Sequence, residues 1–147
     1  MIDSLLFALG LAVFLAVAAG ANLVRNPSFE DVDGDLPAGW NTRPGEEPVE
    51  LRDDGGHQGP RYVRFVDTKA NKGVFLEATR LPARPGGIYR ASAWFRTSDA
   101  CKPGVYLNFY DEVGTRIHSA YQRADGPTDG WTQVEVTTAA PTEAAPA

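Results

Sequence analysis

The chain holds a single cysteine, Cys101, among its 147 residues. One thiol closes no intrachain disulfide, so an extracellular fold of this sequence must hold by burial, hydrogen bonds or a metal. Cys101 itself is expected as a buried thiol, since no base stands near it in sequence to activate it. Histidine is almost as scarce: His57 and His118 are the only two, and neither falls in a metal-ligand spacing such as H-x-x-x-H. No G-x-S-x-G elbow, P-loop or dinucleotide-binding glycine pattern is present. Positive charge is short as well. Fourteen Lys and Arg face 19 Asp and Glu, for a net charge of −5, which leaves no clustered basic footprint for DNA or RNA. Carboxylates are plentiful, and glycoside hydrolysis needs two of them about 5–10 Å apart across a cleft. Asp67, Glu77, Asp111, Glu112 and Glu135 are available, but any acidic chain of this size offers several. They read as solvated or turn carboxylates, and Asp111 as a turn former before Gly114. The sequence carries no catalytic constellation, so it is read as a non-enzyme.

Long hydrophobic runs are missing too, except at the start. Leu5 to Ala19 is nearly unbroken hydrophobe of roughly 15 residues, within signal-peptide length and short of the ~20 that span a bilayer. It runs into Ala19-Gly20-Ala21, an A-x-A spacing that would release Asn22. No Lys or Arg precedes the run, so an uncleaved N-terminal anchor is the alternative for residues 1–21. Either way the expected location is secreted or extracytoplasmic. Removing residues 1–21 leaves about 126, the size of one domain with one core.

Beyond Asn22 no stretch repeats apolar residues at helical spacing for three turns. Short alternating runs appear instead, separated by Gly, Pro and Asp, which is an all-β pattern. The expected strands are Leu23–Arg25, Val49–Leu51, Tyr62–Asp67, Val74–Thr79, Ile88–Thr97, Gly104–Tyr110, Arg116–Gln122 and Trp131–Thr138. Turn signals lie between them, among them Asp33-Gly34, Asn71-Lys72-Gly73 and Pro85-Gly86-Gly87. Their spacing predicts a two-sheet antiparallel β-sandwich of the jelly-roll type over residues 22–138. Residues 139–147, Ala-Ala-Pro-Thr-Glu-Ala-Ala-Pro-Ala, read either as a Pro/Ala linker or as a loop whose following strand is missing.

Period-two alternation sorts the strands into faces. In Ile88–Thr97, Tyr89, Ala91, Ala93 and Phe95 are expected inward, leaving Arg90, Ser92, Trp94 and Arg96 outward. In Gly104–Tyr110, Val105, Leu107 and Phe109 point in, and Tyr106, Asn108 and Tyr110 point out. On the next strand Arg116, His118 and Gln122 share a side and are expected to line the same cleft. Aromatic rings mixed with Arg and Asn suit a sugar, because rings stack on the C–H side of a pyranose while planar polar groups bond its hydroxyls. Trp94 and Tyr110 are the expected stacking platforms, with Arg96, Asn108, Tyr106 and Arg90 as polar partners. Trp40 and Trp131 are expected in the core or at its rim. A separate acidic group, Glu30, Asp31, Asp33 and Asp35 around Gly34, reads either as a solvated Asp-Gly turn or as a set of oxygens of the kind calcium takes. It is not an EF-hand, since Thr42 stands where the bidentate Glu belongs.

Several segments, in order, resemble the carbohydrate-binding modules of the family 4/9/22 group, the CenC-like, galactose-binding-like jelly rolls. They are Asn22-Leu23-Val24 with Asn26-Pro27-Ser28-Phe29-Glu30, then Gly39-Trp40, then Leu81-Pro82-Ala83-Arg84-Pro85-Gly86-Gly87-Ile88-Tyr89 leading into Ala91-Ser92-Ala93-Trp94-Phe95-Arg96. Leu107-Asn108-Phe109-Tyr110-Asp111-Glu112-Val113-Gly114 and Trp131 with Ala140-Pro141 complete the set. The resemblance implies a non-catalytic domain that holds a poly- or oligosaccharide, usually attached to further domains of a larger secreted protein. It also implies a structural calcium at Glu30, shared with an Asp of a closing strand that has no match here. Without that strand, Leu23–Arg25 is expected at an unpaired edge. The alternative function is a structural or adhesive cell-envelope module with no sugar ligand.

Overall fold

The computed structural model describes residues 22–44, 47–66, 68, 73–97 and 101–144. The apolar segment 1–21, Asp67, the Asn71-Lys72 turn and the last three residues therefore lie outside the described residues. Ten strands follow in chain order: β1 (Val32–Asp33), β2 (Leu36–Pro37), β3 (Trp40–Asn41), β4 (Val49–Arg52), β5 (Tyr62–Phe65), β6 (Glu77–Ala78), β7 (Ile88–Phe95), β8 (Gly104–Tyr110), β9 (Arg116–Arg123) and β10 (Thr132–Ala139). Among the described residues there is no helix, and every pairing is antiparallel: β1–β2, β3–β6, β4–β5, β7–β10 and β8–β9. The chain is all-β, as expected.

Two long ribbons set the frame. β7 pairs with β10 from Ile88↔Ala139 to Phe95↔Thr132, and the ladder runs on past the strand ends, where Ala140 donates to Gly87 O (2.8 Å) and Gly86 to Ala140 O (3.0 Å). β8 pairs with β9 across the turn Asp111–Thr115, whose backbone the Asp111 carboxylate holds through Val113 N (3.1 Å) and Thr115 N (2.7 Å). Asp111 is thus the turn former expected. The ribbons meet through their apolar sides: Tyr89 packs edge-on to Phe109 at 5.7 Å, and His118 Nε2 lies 3.4 Å from Thr138 Oγ1. Phe109, Val134 and Val136 are buried in this layer. The alternation of β7 and β8 follows the expected phase, with Tyr89, Ala93, Leu107 and Phe109 in and Arg90, Trp94 and Tyr106 out.

Four expectations change or sharpen. Of the two readings of residues 139–147, the described part fits the loop, because Ala140 and Ala144 are buried against Phe109 with Ala83, Tyr89 and Leu107 beside them. Cys101 is exposed, not buried. Leu23–Arg25 forms no strand, and Val74–Thr79 shortens to the two-residue β6.

The segment Asn26–Trp40 is a clasp centred on one side chain. Asn26 Nδ2 donates to the carbonyls of Asp31 (2.7 Å) and Ala38 (3.2 Å), and its Oδ1 accepts from Asp31 N (3.0 Å). Its own carbonyl accepts from Phe29 N (3.2 Å) and Trp40 Nε1 (3.2 Å). Asn26 sits at φ 50°, a left-handed conformation that asparagine tolerates better than most residues. Phe29 follows at φ 66°, which is unusual for a bulky residue, and its ring meets Trp40 edge-on at 5.1 Å. Between the two anchoring carbonyls lies the β1–β2 hairpin, turned by Gly34-Asp35 with Gly34 at φ 61°. The acidic group around Gly34 is therefore a hairpin tip, and Trp40 lies at the rim of the clasp.

Candidate functional site

The outward residues of β7 and β8 do not form one face. Because the two ribbons turn their apolar sides toward each other, Trp94, Arg90 and Arg96 look out from one side of the molecule. Tyr106, Asn108 and Tyr110 look out from the other. The single composite cleft expected from alternation resolves into two surfaces of different character.

On the β7–β10 side Trp94 carries a cover. The imidazole of His57 stacks on it at 4.0 Å with the planes 15° apart, and meets Trp131 edge-on at 6.0 Å. Tyr62 approaches Trp131 from 6.2 Å, and the Arg96 guanidinium lies 5.2 Å from the Trp131 ring centre. Arg90 lies 3.8 Å from Glu135 across the sheet. His57 is delivered by the loop 53–61, which is tied at its base: Gly55 and Gly56 donate to Pro60 O (3.1 and 3.0 Å). Glu30 ties the loop again. Its Oε1 accepts from Arg61 N (3.3 Å), its Oε2 lies 3.5 Å from Arg61 Nη1, and the Arg61 guanidinium also donates to its backbone carbonyl. A side chain at Gly59 would overlap the Glu30 carboxylate.

Glu30 therefore anchors the loop that covers Trp94. Arg61 already pairs with its carboxylate, and among the described residues no three His, Cys, Asp or Glu side chains converge. Glu30 thus faces a cation of the chain itself, and no step below relies on calcium. Removing the anchor has a readable result. Glu30→Ala is expected to cost about 1 kcal/mol, modest because the pair is partly exposed, and to loosen the His57–Trp94 stack. Tryptophan fluorescence and thermal melting check this; a variant with the parent spectrum and midpoint contradicts the anchor role.

On the β8–β9 side two rings stack on each other and keep their outer surfaces exposed, Tyr121 more so than Trp94. Tyr106 and Tyr121 are cross-strand partners whose rings stack at 5.3 Å and 21°, and they remain 41% and 59% exposed. Arg123 donates to the Tyr106 hydroxyl from Nη2 (3.0 Å) and Nε (3.3 Å) and lies 5.4 Å from the Tyr121 ring centre. That hydrogen bond holds the Arg123 guanidinium above its ordinary value. Next along the face Ser119 Oγ donates to Asn108 Oδ1 (2.8 Å), which leaves the Asn108 amide N–H groups toward solvent. Tyr110 lies beyond, its ring under the Arg80 guanidinium at 3.9 Å.

Sequence reasoning found Tyr106, Asn108 and Tyr110 on this surface and missed Tyr121, Arg123, Ser119 and Arg80. It placed His118 and Gln122 here, but they pair with Phe109 and Val105 and so lie on the inner side of β9. Arg116 pairs with Tyr110 beyond an irregularity at Phe109/Tyr110. The signal was present in the alternate register of β9, Ser119-Tyr121-Arg123, read one residue out of phase. Of the other carboxylates, Glu77 is held by Arg43 and Glu135 stands by Arg90. Comparison of the chain with family models, with curated proteins and with solved structures found no match.

Proposed function

We propose that the chain is a secreted, non-catalytic carbohydrate-binding domain of the CenC-like kind, and that the outer face of β8–β9 is its glycan surface. The observation that carries this is the Tyr106–Tyr121 pair, two near-parallel rings left open to solvent with hydrogen-bonding groups fixed on both sides. The two rings stack on each other, so a pyranose meets the solvent-exposed outer surface of the pair, with its C–H groups against the aromatic carbon. Its hydroxyls then meet the guanidinium of Arg123 on one flank and the amide of Asn108 on the other. Rigid aromatic anchors flanked by Arg give up little conformational entropy on binding, so a small contact still has net affinity. The expected strength is micromolar to millimolar, and the expected effect of the domain is to raise the local concentration of attached domains on their polysaccharide.

Trp94 stays 38% exposed, but His57 stacks on one face of its indole, and a structural role is assigned to it here. The test is retention on a panel of soluble and insoluble polysaccharides, with calcium and with chelator. Retention of at least one glycan, unchanged by chelation, supports the reading. A folded protein that retains none overturns it and leaves the alternative of a structural or adhesive envelope module. Trp94→Ala is expected to lower the melting temperature while leaving glycan affinity within about twofold. The same titration run on the variant checks this, and loss of binding in a folded Trp94→Ala protein would return the site to the opposite face.

A further inference from the structure

Among the described residues β8 is an edge strand, and it lacks the features that normally protect an edge. Gly104–Tyr110 contains no charge and no proline, and among the described residues it pairs only with β9. β9, by contrast, carries arginine at both ends. Long, uncharged, apolar edges invite a further strand, which is why most proteins charge, shorten or cover them.

The hydrogen-bonding phase of the open edge is readable. Pro103 O accepts from Ala124 N (2.8 Å) and Asp111 N donates to Thr115 O (2.9 Å), so the odd-numbered positions of β8 direct their backbone groups to β9. The even positions, Gly104, Tyr106, Asn108 and Tyr110, direct theirs to the open side. On the inner surface Val105 and Leu107 are only half-buried.

We propose that β8 is a homodimerisation edge, at which a second copy of this chain pairs antiparallel about a two-fold axis through Leu107. In that register Tyr106 exchanges backbone hydrogen bonds with Asn108 of the second copy, and Gly104 with its Tyr110. All four are edge-directed positions, as antiparallel pairing requires. Leu107 faces its own equivalent, and Val105 faces Phe109, extending the apolar layer across the axis. Charge selects this register. Lys102 of each copy comes opposite Glu112 of the other, once at each end, and both side chains are exposed. A two-residue slip in either direction loses both pairs. The interface is isologous and closes on itself, giving a four-stranded β9-β8-β8-β9 sheet rather than a fibre. The two tyrosine pairs then lie on the same face of one sheet. This inference stands on the edge alone and does not depend on what the tyrosines bind.

The test is sedimentation equilibrium of the chain from micromolar to sub-millimolar concentration, joined to amide hydrogen exchange over the same range. The expected result is a reversible dimer, with the Tyr106 and Asn108 amides slowing as concentration rises. Lys102→Glu and Glu112→Lys are each expected to raise the dissociation constant roughly tenfold, by turning two attractive pairs into two repulsive ones. Combining them should restore the parent value. A monomer at every concentration overturns the proposal, as does a dimer indifferent to the charge changes. Protection of Tyr106 and Asn108 that does not vary with concentration also overturns it, because the edge would then be filled from within the chain.

Discussion

Tyr121→Ala is expected to reduce glycan affinity by roughly thirtyfold or more, while leaving the fold intact. The size follows from the position. Tyr121 is the most exposed ring of the β8–β9 pair, and central aromatic anchors typically cost about 2 kcal/mol or more when truncated. Domains that start in the micromolar-to-millimolar range would fall below detection on most polysaccharides. The fold is not expected to suffer, because the ring stacks only on Tyr106 and under Arg123, both at the surface. Arg123→Ala should weaken binding by a smaller factor, since it removes hydrogen bonds to hydroxyls but leaves the rings in place. Isothermal titration against the best glycan of the panel, with circular dichroism to confirm folding, measures both. Parent affinity in a folded Tyr121→Ala protein would remove the tyrosine pair from the site.

Asn26→Ala is expected to be the most damaging single change in the N-terminal third of the chain. It deletes three hydrogen bonds to the backbone of Asp31 and Ala38, each worth about 0.5–1.5 kcal/mol net. It also places alanine at φ 50°, a left-handed conformation that asparagine tolerates through local side-chain hydrogen bonds and alanine does not. A loss of about 2–3 kcal/mol is a large share of the total stability of a domain this size, and corresponds to a melting point lower by about 10 °C. Asn26→Asp keeps the acceptor for Asp31 N but loses the donor to both carbonyls, so an intermediate fall is expected. Thermal melting of the three proteins checks the order. Equal stability of Asn26→Ala and the parent would mean that the clasp does not hold the β1–β2 hairpin. Glycan affinity at the remote tyrosine pair should survive in whatever fraction stays folded.

The clasp also accounts for the stretch of sequence most suggestive of a family. Asn26, Phe29, Glu30 and Trp40 are drawn together by backbone geometry: one asparagine amide fixes a hairpin, one aromatic pair covers a strained turn, and one carboxylate ties down the 53–61 loop. None of them lies on the tyrosine face. A motif can thus be informative about architecture while saying little about where a ligand sits.

Long strands with a clear apolar phase were legible in the sequence. Gly104–Tyr110 was placed to the residue, β7, β9 and β10 to within two, and the in-and-out order of β7 and β8 follows directly from alternation. Two-residue strands were not legible. Val32–Asp33 and Leu36–Pro37 are too short to show a period, and the acids around Gly34 read as a solvated turn or as calcium-type oxygens without marking the two short strands. β9 defeated alternation for another reason. Both of its faces carry polar groups in Arg-Ile-His-Ser-Ala-Tyr-Gln-Arg, so hydropathy sets no phase, and the irregularity opposite Tyr110 offsets the count. Tyr121 and Arg123 were lost with that phase. Trp94 posed a third kind of problem. Its outward direction was read correctly, but the loop that covers it approaches from 37 positions upstream, through His57. Contacts of that range leave no local trace. Nor could the sequence say that the outer sides of β7 and β8 look opposite ways, since that depends on which ribbon each strand joins.

The measurement that tests the central claim most directly is a residue-level map of glycan contact. The best-retained polysaccharide of the panel, as a soluble oligosaccharide, would be titrated into isotopically labelled protein while backbone amide shifts are followed. The predicted result is a set of shifts confined to Tyr106, Asn108, Ser119, Tyr121 and Arg123, with His57, Trp94 and Trp131 unmoved. Shifts gathered instead at His57, Trp94, Arg96 and Trp131 would contradict the account, and would move the binding surface to the other side of the molecule.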